Sequence, residues 1–266
     1  MLTKTYPPAG DSKLAALRLI CLPFAGGGTA LYHRWRRFLP PSMQLHPVCL
    51  PGRENRLDEP LWTDLHAAAR QVADEIQPVL AAPFALLGHS MGAWLALELG
   101  RELQRRGLPR PALLIVAASR PPHLPAAGGP PMHGLPDDEF VAVVQQRFDG
   151  IPPAVRDNAE LLRLLLPAIR ADIQMMETYQ PGEEPPLDVE ILALGGATDR
   201  AVAIGDLAEW RRHTSRRCST RLLPGGHFFL FRDEESPPEE AADGARQESR
   251  PTAALQLILA RLESYL

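Results

Sequence analysis

The sequence predicts an α/β protein: a mostly parallel sheet with helices on both faces, interrupted by an inserted helical segment. Three observations carry that expectation. Short apolar, β-branched runs alternate with longer amphipathic ones, as in strands buried on both faces and joined by crossover helices. The alternation halts between Arg120 and about Pro186 and then resumes, so both ends of the chain belong to one sheet. A glycine-flanked serine, Gly88-His89-Ser90-Met91-Gly92, stands where a buried run gives way to a helical one. The 266 residues and 29.2 kDa are enough for one large domain with its own core.

Taken in order, Leu17 to Leu22 reads as a buried strand, Thr29 to Leu39 as a helix and Gln44 to Cys49 as a second strand. Thr63 to Leu80 places Leu65, Ala69, Val72, Ile76 and Leu80 at helical spacing. Phe84 to Leu87 is a short strand, Ala93 to Arg106 a helix and Leu113 to Ala117 a strand. The segment 120–186 opens with the Pro/Gly-rich stretch RPPHLPAAGGPP and continues with helices near 137–148 and 157–179. In the second of these, Asp157 with Glu160 resembles a capping box, and Leu161, Leu164, Leu165, Ala168, Ile169 and Ile173 form an apolar face. Such an insertion between two strands of one sheet is expected to be a lid. Then follow a strand Val189 to Leu194, a helix Ile204 to His213, a strand Ser219 to Leu223 and a last helix Ala253 to Leu262. Residues 233–250, rich in Pro and Glu and without large apolar side chains, are expected to be disordered.

Composition excludes several function classes. The net charge of −4 is uneven: residues 233–250 hold seven acids and two arginines, a local −5, which leaves +1 for the rest. A body so near neutrality has no footprint for nucleic acid. No apolar run approaches the roughly 18 residues that cross a bilayer, and the N-terminus lacks the features of a secretory signal, so no membrane is expected and a cytoplasmic location is. Cys21, Cys49 and Cys218 are odd in number and far apart, which fits reduced thiols in a reducing compartment and offers no metal knuckle. A monomer is expected.

The chemistry centres on Ser90. A serine on a sharp strand-to-helix turn has its hydroxyl exposed above the sheet, and small residues two before and two after let the backbones pass. Near neutrality a serine hydroxyl needs an imidazole to take its proton, and the imidazole needs a carboxylate to fix its tautomer. Of the eight histidines, His89 is inside the turn and is read as pointing away from the reacting side. His33, His46, His66, His123, His133 and His213 lie in helices or upstream of a suitable acid. His227, in LLPGGHFFLF just past the last strand, is late enough and sits on the edge where such a sheet puts its site. Asp199 follows the preceding strand on the same edge. Its rival Asp206 is better placed to cap the next helix, and Asp188 falls at the strand's other end. An oxyanion would be held by the N–H groups of Met91, at a helix start, and Ala25, in the loop Pro23-Phe24-Ala25-Gly26-Gly27-Gly28. That loop is not a dinucleotide fingerprint, because Leu31 stands where glycine is required, and no phosphate-cradling G-x-x-x-x-G-K-[ST] occurs. Phe140, Phe148, Met175, Met176 and Tyr179 either line an acyl pocket or pack the insertion itself. Arg53 and Arg56 either anchor loops or meet a phosphate. The arginines at 34, 36, 37, 211, 212, 216 and 217 read as solvated helix faces, with docking of an acidic partner as the other reading.

With LICLPFAGGG and Trp35, LPGRENR, LLGHSMGA, the leucine-rich insertion, LGGATD and PGGHFFL in this order, the chain resembles the type II thioesterases, the stand-alone editing hydrolases of nonribosomal peptide and polyketide synthases. The resemblance covers about residues 17–231. It implies the α/β-hydrolase fold, a Ser90, Asp199, His227 triad and a mobile lid over the acyl channel. It also implies hydrolysis of acyl or aminoacyl thioesters on the phosphopantetheine arm of carrier proteins, clearing misprimed carriers with no cofactor or metal of its own. The acidic 233–250 stretch departs from the family, whose members pass from the FFL segment to the final helix by a short loop. A carboxylesterase acting on small free esters is the rival reading, and a non-catalytic partner-binding subunit is disfavoured because no triad residue is missing.

Overall fold

The structure, a computed structural model, describes residues 16–80, 83–124, 130–232 and 250–266. The acidic run therefore lies outside the described residues, apart from Arg250. Six strands form one sheet: β1 (Leu17–Leu22), β2 (Met43–Pro47), β3 (Phe84–His89), β4 (Leu113–Ala117), β5 (Glu190–Gly196) and β6 (Cys218–Leu223). They lie in the order β2-β1-β3-β4-β5-β6, and every pairing is parallel. The strands read from sequence are all present, with ends shifted by a few residues. The second stops at Pro47 rather than Cys49, a position open to proline because β2 is an edge strand and the N–H that reaches Cys21 O, at 2.8 Å, is that of Val48.

The continuous apolar runs have a direct cause. Alternate residues point to opposite faces, and both faces are covered. Ile20, Leu22, Leu86, Leu114, Val116, Ile191 and Ala193 enter one core, with α2 (Leu65–Ile76) and α3 (Met91–Arg105) above them. Leu19, Cys21, Ala85, Leu87, Ile115, Ala117, Leu192 and Leu194 enter the other, under α8 (Ala253–Glu263) and the aromatic pair Tyr32 and Trp35. Asp64 caps α2 through Ala67 N at 2.6 Å, and Thr252 caps α8 through Leu255 N at 3.1 Å.

Several expected helices are shorter or divided. Thr29 to Leu39 forms α1 (Ala30–His33) and then a 3-10 segment, Arg34–Phe38. Likewise α7 is only Ile204–Ala208, followed by a 3-10 segment Glu209–His213. Between β4 and β5 lie α4 (Asp137–Phe148), α5 (Pro153–Arg156) and α6 (Ala159–Glu177). The cap of α6 is Asn158, which accepts from Glu160 N and Leu161 N at 3.1 Å each, and not Asp157, which ends α5 and pairs with Arg156. The buried face is also turned from the expected one: Leu164 is half exposed, while Leu166, Ala168, Ile169, Asp172, Ile173 and Met175 are inside.

The strand order explains where a site can form. From β1 the chain crosses to β2 on one side, then returns to β3 on the other. The loops leaving the carboxyl ends of β1 and β3 therefore diverge and leave a crevice between them. Leu22 and Gly88 are register partners at that edge.

Candidate active site

Ser90 occupies the crevice in a conformation that side chains rarely adopt, φ 55° and ψ −116°. Its backbone is held there from both sides: Ser90 N donates to Ala117 O at 2.8 Å, and Ser90 O accepts from Ala93 N at 3.0 Å. The flanking glycines are required. A Cβ on Gly88 would collide with the backbone of Gly92 and Ala93, and one on Gly92 with the carbonyl oxygens of Leu22 and Pro23. The elbow is a place where β1, β3 and α3 touch backbone to backbone.

The other two side chains come from loops after β5 and β6, which are also fused at the backbone. A Cβ on Gly196 would strike the carbonyls of Gly225 and Gly226. Ala197 N and Thr198 N donate to Leu223 O and Gly225 O at 2.8 and 3.1 Å. This contact sets Asp199 against His227. Asp199 Oδ2 lies 2.9 Å from His227 Nδ1, and His227 Nε2 lies 2.9 Å from Ser90 Oγ. A carboxylate only accepts, so Nδ1 carries the proton and the Nε2 lone pair faces the serine hydroxyl. The second Asp199 oxygen accepts from Ala201 N at 2.8 Å, which fixes the carboxylate. Ser90 and His227 are both less than a tenth exposed. Such a chain can pass a proton from hydroxyl to imidazole while the hydroxyl oxygen attacks a carbonyl.

The remaining sequence candidates fall as follows. Met91 opens α3, with its N–H at the positive end of the helix dipole. Ala25 stands in the β1 loop, in a turn closed by Gly27 N donating to Phe24 O at 2.8 Å. Among the described residues no hydrogen bond engages the N–H of either. Asp206 does not cap α7, whose N-cap is Ala203; its carboxylate lies 3.5 Å from Arg120. Asp188 sits before β5 and pairs with Arg110 and Arg216, and Arg212 pairs with Glu209. Arg53 and Arg56 are both buried loop anchors: Arg53 grips Asp172, and Arg56 binds Glu59, Glu75 and Cys49 O. Of the aromatic and methionine group, Met175, Met176 and Tyr179 pack into the main core. Phe140 and Phe148 belong to the cluster of the inserted helices, and the Phe148 ring sits 5.2 Å from that of His227. No group of His, Cys, Asp and Glu among the described residues could hold a metal ion, and no described helix is long and apolar enough to cross a membrane.

Two contributions escaped the sequence reading. His89 is fully buried among Phe24, Phe228, Phe231 and His227, and its Nε2 donates to the His227 carbonyl at 2.8 Å. Burial, with the neighbouring His227, lowers its pKa to about 3, so the ring stays neutral behind His227. Asp172 is the second: a carboxylate between Ile169 and Ile173 on the buried stripe of α6. A charge among apolar residues at helical spacing was the signal available for it.

The chain is similar to known thioesterases. The thioesterase domain model matches residues 17–242. The gramicidin S biosynthesis protein GrsT of Aneurinibacillus migulanus is 38% identical over 86% of this chain and 88% of its own. The RedJ thioesterase of the prodiginine pathway in Streptomyces coelicolor superposes with a TM-score of 0.81 at 33% identity, covering 99% of this chain and 96% of that one. BorB, the type II thioesterase of the borrelidin cluster, gives 0.72 at 35% identity over 85% and 88% of the two chains. The chain belongs to the thioesterase family and, among the type II thioesterases of nonribosomal peptide and polyketide pathways, is a thioester hydrolase of the α/β-hydrolase fold.

Proposed function

We propose that the protein hydrolyses acyl or aminoacyl thioesters carried on the phosphopantetheine arm of carrier protein domains, and so clears misprimed or stalled synthases. The observation that carries the reading is the unbroken hydrogen-bonded line from Asp199 through His227 to Ser90, set on a strained elbow. Ser90 Oγ attacks the thioester carbon as its proton passes to His227 Nε2. The N–H groups of Ala25 and Met91 hold the oxyanion of the tetrahedral adduct. The C–S bond then breaks, and His227 returns its proton to the leaving sulfur. Water, deprotonated by His227, attacks the acyl-serine and frees the acid. Helices α4 to α6, in residues 120–186, act as a lid over the acyl group, and no cofactor or metal takes part. The biosynthetic pathways named for the relatives support the choice of substrate, and free cysteines suit work in the cytoplasm. A thiolate leaves readily, so little help from the enzyme is needed at that atom and selectivity for acyl identity is expected to be low.

The test is release of free acid from acetyl- and aminoacyl-loaded carrier protein beside matched free oxygen esters, for the natural chain and Ser90→Ala. Preferred cleavage of carrier thioesters, with a loss on the order of 10³-fold or more in Ser90→Ala, is the expected result. Preference for free esters replaces this reading with a small-ester hydrolase. A steep preference for one acyl chain counts against editing.

A further inference from the structure

The oxyanion loop is held by a pair of opposite charges buried where the inserted helices meet the sheet. Arg53 and Asp172 are 4% and 2% exposed and meet through two parallel contacts, Nη1 to Oδ2 at 2.7 Å and Nη2 to Oδ1 at 2.9 Å. Each partner also reaches the loop after β1. Asp172 Oδ2 accepts from Gly26 N at 2.7 Å, and Arg53 Nη1 donates to Gly27 O at 2.9 Å. The turn over residues 24–27 has Gly26 at φ 77°, the position that a type II turn reserves for glycine. In that turn the Ala25–Gly26 peptide is the central one, and its rotation by half a turn separates type II from type I. The Gly26 N–H that Asp172 accepts belongs to this peptide, and Ala25, whose own N–H faces the crevice edge in the proposed mechanism, shares its Cα with it. Ile169, one turn before Asp172 on α6, closes the remaining side, since a Cβ on Gly26 would come within 2.5 Å of Ile169 Cγ1.

We infer that Arg53 and Asp172 are positioning residues for the reaction: together they lock the turn that aims the Ala25 N–H, and so tie a helix of the insertion to the stabilisation of the oxyanion. The inference rests on the proposed roles of Ser90 and Ala25. A pair that served stability alone would have no need to engage both the N–H and the C=O of one turn. Its replacement by apolar groups of similar size would then leave the chemistry alone, since buried ion pairs are often replaceable in this way.

The experiment uses the full chain as Arg53→Met/Asp172→Leu, Asp172→Asn and Arg53→Lys, with Ser90→Ala beside them. Each is measured for thermal unfolding, for kcat and KM on one acyl thioester, and for binding of two analogues of that substrate. One is a trifluoromethyl ketone that forms a tetrahedral adduct, and the other is a thioether that cannot react. The double variant is expected to fold, to lose roughly 100- to 1,000-fold in kcat, the scale of one oxyanion donor, and to keep KM within about twofold. Ketone affinity falls in step with kcat while thioether affinity does not. Asp172→Asn, which keeps an acceptor for Gly26 N, is expected to lose only about tenfold by comparison. Arg53→Lys loses the two-pronged contact and falls between them, and these two single variants carry the test if the double variant does not fold. The inference is overturned if folded variants keep kcat within twofold, or if kcat, KM and both affinities decline together. An active Ser90→Ala overturns the reading of the site instead, a separate result.

Discussion

Ser90→Gly and Ser90→Ala remove the same hydroxyl and leave the same unpaired His227, yet they are expected to differ in stability. The residue at position 90 holds φ 55° and ψ −116°, pinned by Ala117 O and Ala93 N. Alanine inherits the steric strain of that conformation, about 1–3 kcal/mol, and glycine does not. Glycine gives back part of the gain because its unfolded chain is freer, about 0.4–1 kcal/mol. The difference leaves glycine the more stable variant by about 0.5–2 kcal/mol, or roughly 1–4 °C in Tm for a chain of this size. Urea unfolding followed by tryptophan fluorescence, with equal m values as the check on a shared denatured state, measures it. Both variants should be inactive. A glycine variant no more stable than the alanine one would mean that the elbow stores no strain, and that the positive φ is relaxed by its surroundings.

Two further expectations concern other parts of the fold. His213 is held down to about pKa 3 by burial, with Arg101 and His123 facing it, against 6.5 in the unfolded chain. A depressed histidine binds its proton only on unfolding, so its contribution is present above pH 6.5 and is lost as pH falls below. Between pH 7 and 5 this site should remove about 2 kcal/mol of stability, and His213→Gln should flatten the pH dependence of urea unfolding by that amount; an unchanged slope refutes it. Gly92→Ala puts a methyl group against the Leu22 and Pro23 carbonyls, which are backbone and cannot swing aside. It is expected to cost about 2 kcal/mol or more and to lower kcat by shifting α3 from the β1 loop, whereas an unchanged Tm and kcat would show that the contact yields.

What was legible in the sequence was what period and punctuation encode. The strands β1 and β3 to β5 are apolar on both faces because both faces are covered, so they stand out as unbroken runs. The Gly88-Ser90-Gly92 spacing records backbone contacts that no other residue permits. Chain order then singles out Asp199 and His227, which stand on the loops after β5 and β6 and join Ser90 in one hydrogen-bonded line. What escaped was set by contacts distant in sequence. Asn158 rather than Asp157 caps α6 because Asp157 is already the C-cap of α5, and local pattern cannot separate two adjoining caps. The sequence reads His89 as pointing away from the reacting side, but the edge-on and tilted contacts of Phe24, Phe228 and Phe231 with it, and its bond to the His227 carbonyl, depend on three loops meeting. For Arg53 the sequence admits both loop anchor and phosphate ligand, and the choice needs a partner 119 positions away.

That partner also changes where the inserted segment divides from the body. The sequence draws the boundary at the ends of 120–186, where the strand pattern stops and restarts. Packing draws it along α6. Leu166, Ile169 and Ile173 share a cluster with Phe140 and Val144 of α4, while Met175, with Met176 and Tyr179 beside it, belongs to the main core. Displacing α6 would part Asp172 from Arg53 and leave two buried charges unmatched, at a cost of about 3–5 kcal/mol. Displacing α4 and α5 about α6 opens an apolar cluster and the contact of Phe148 with His227, with no buried charge pair broken. The cheaper opening is therefore the one that parts Phe148 from His227 while α6, through Asp172, keeps its hold on Gly26 N in the loop after β1.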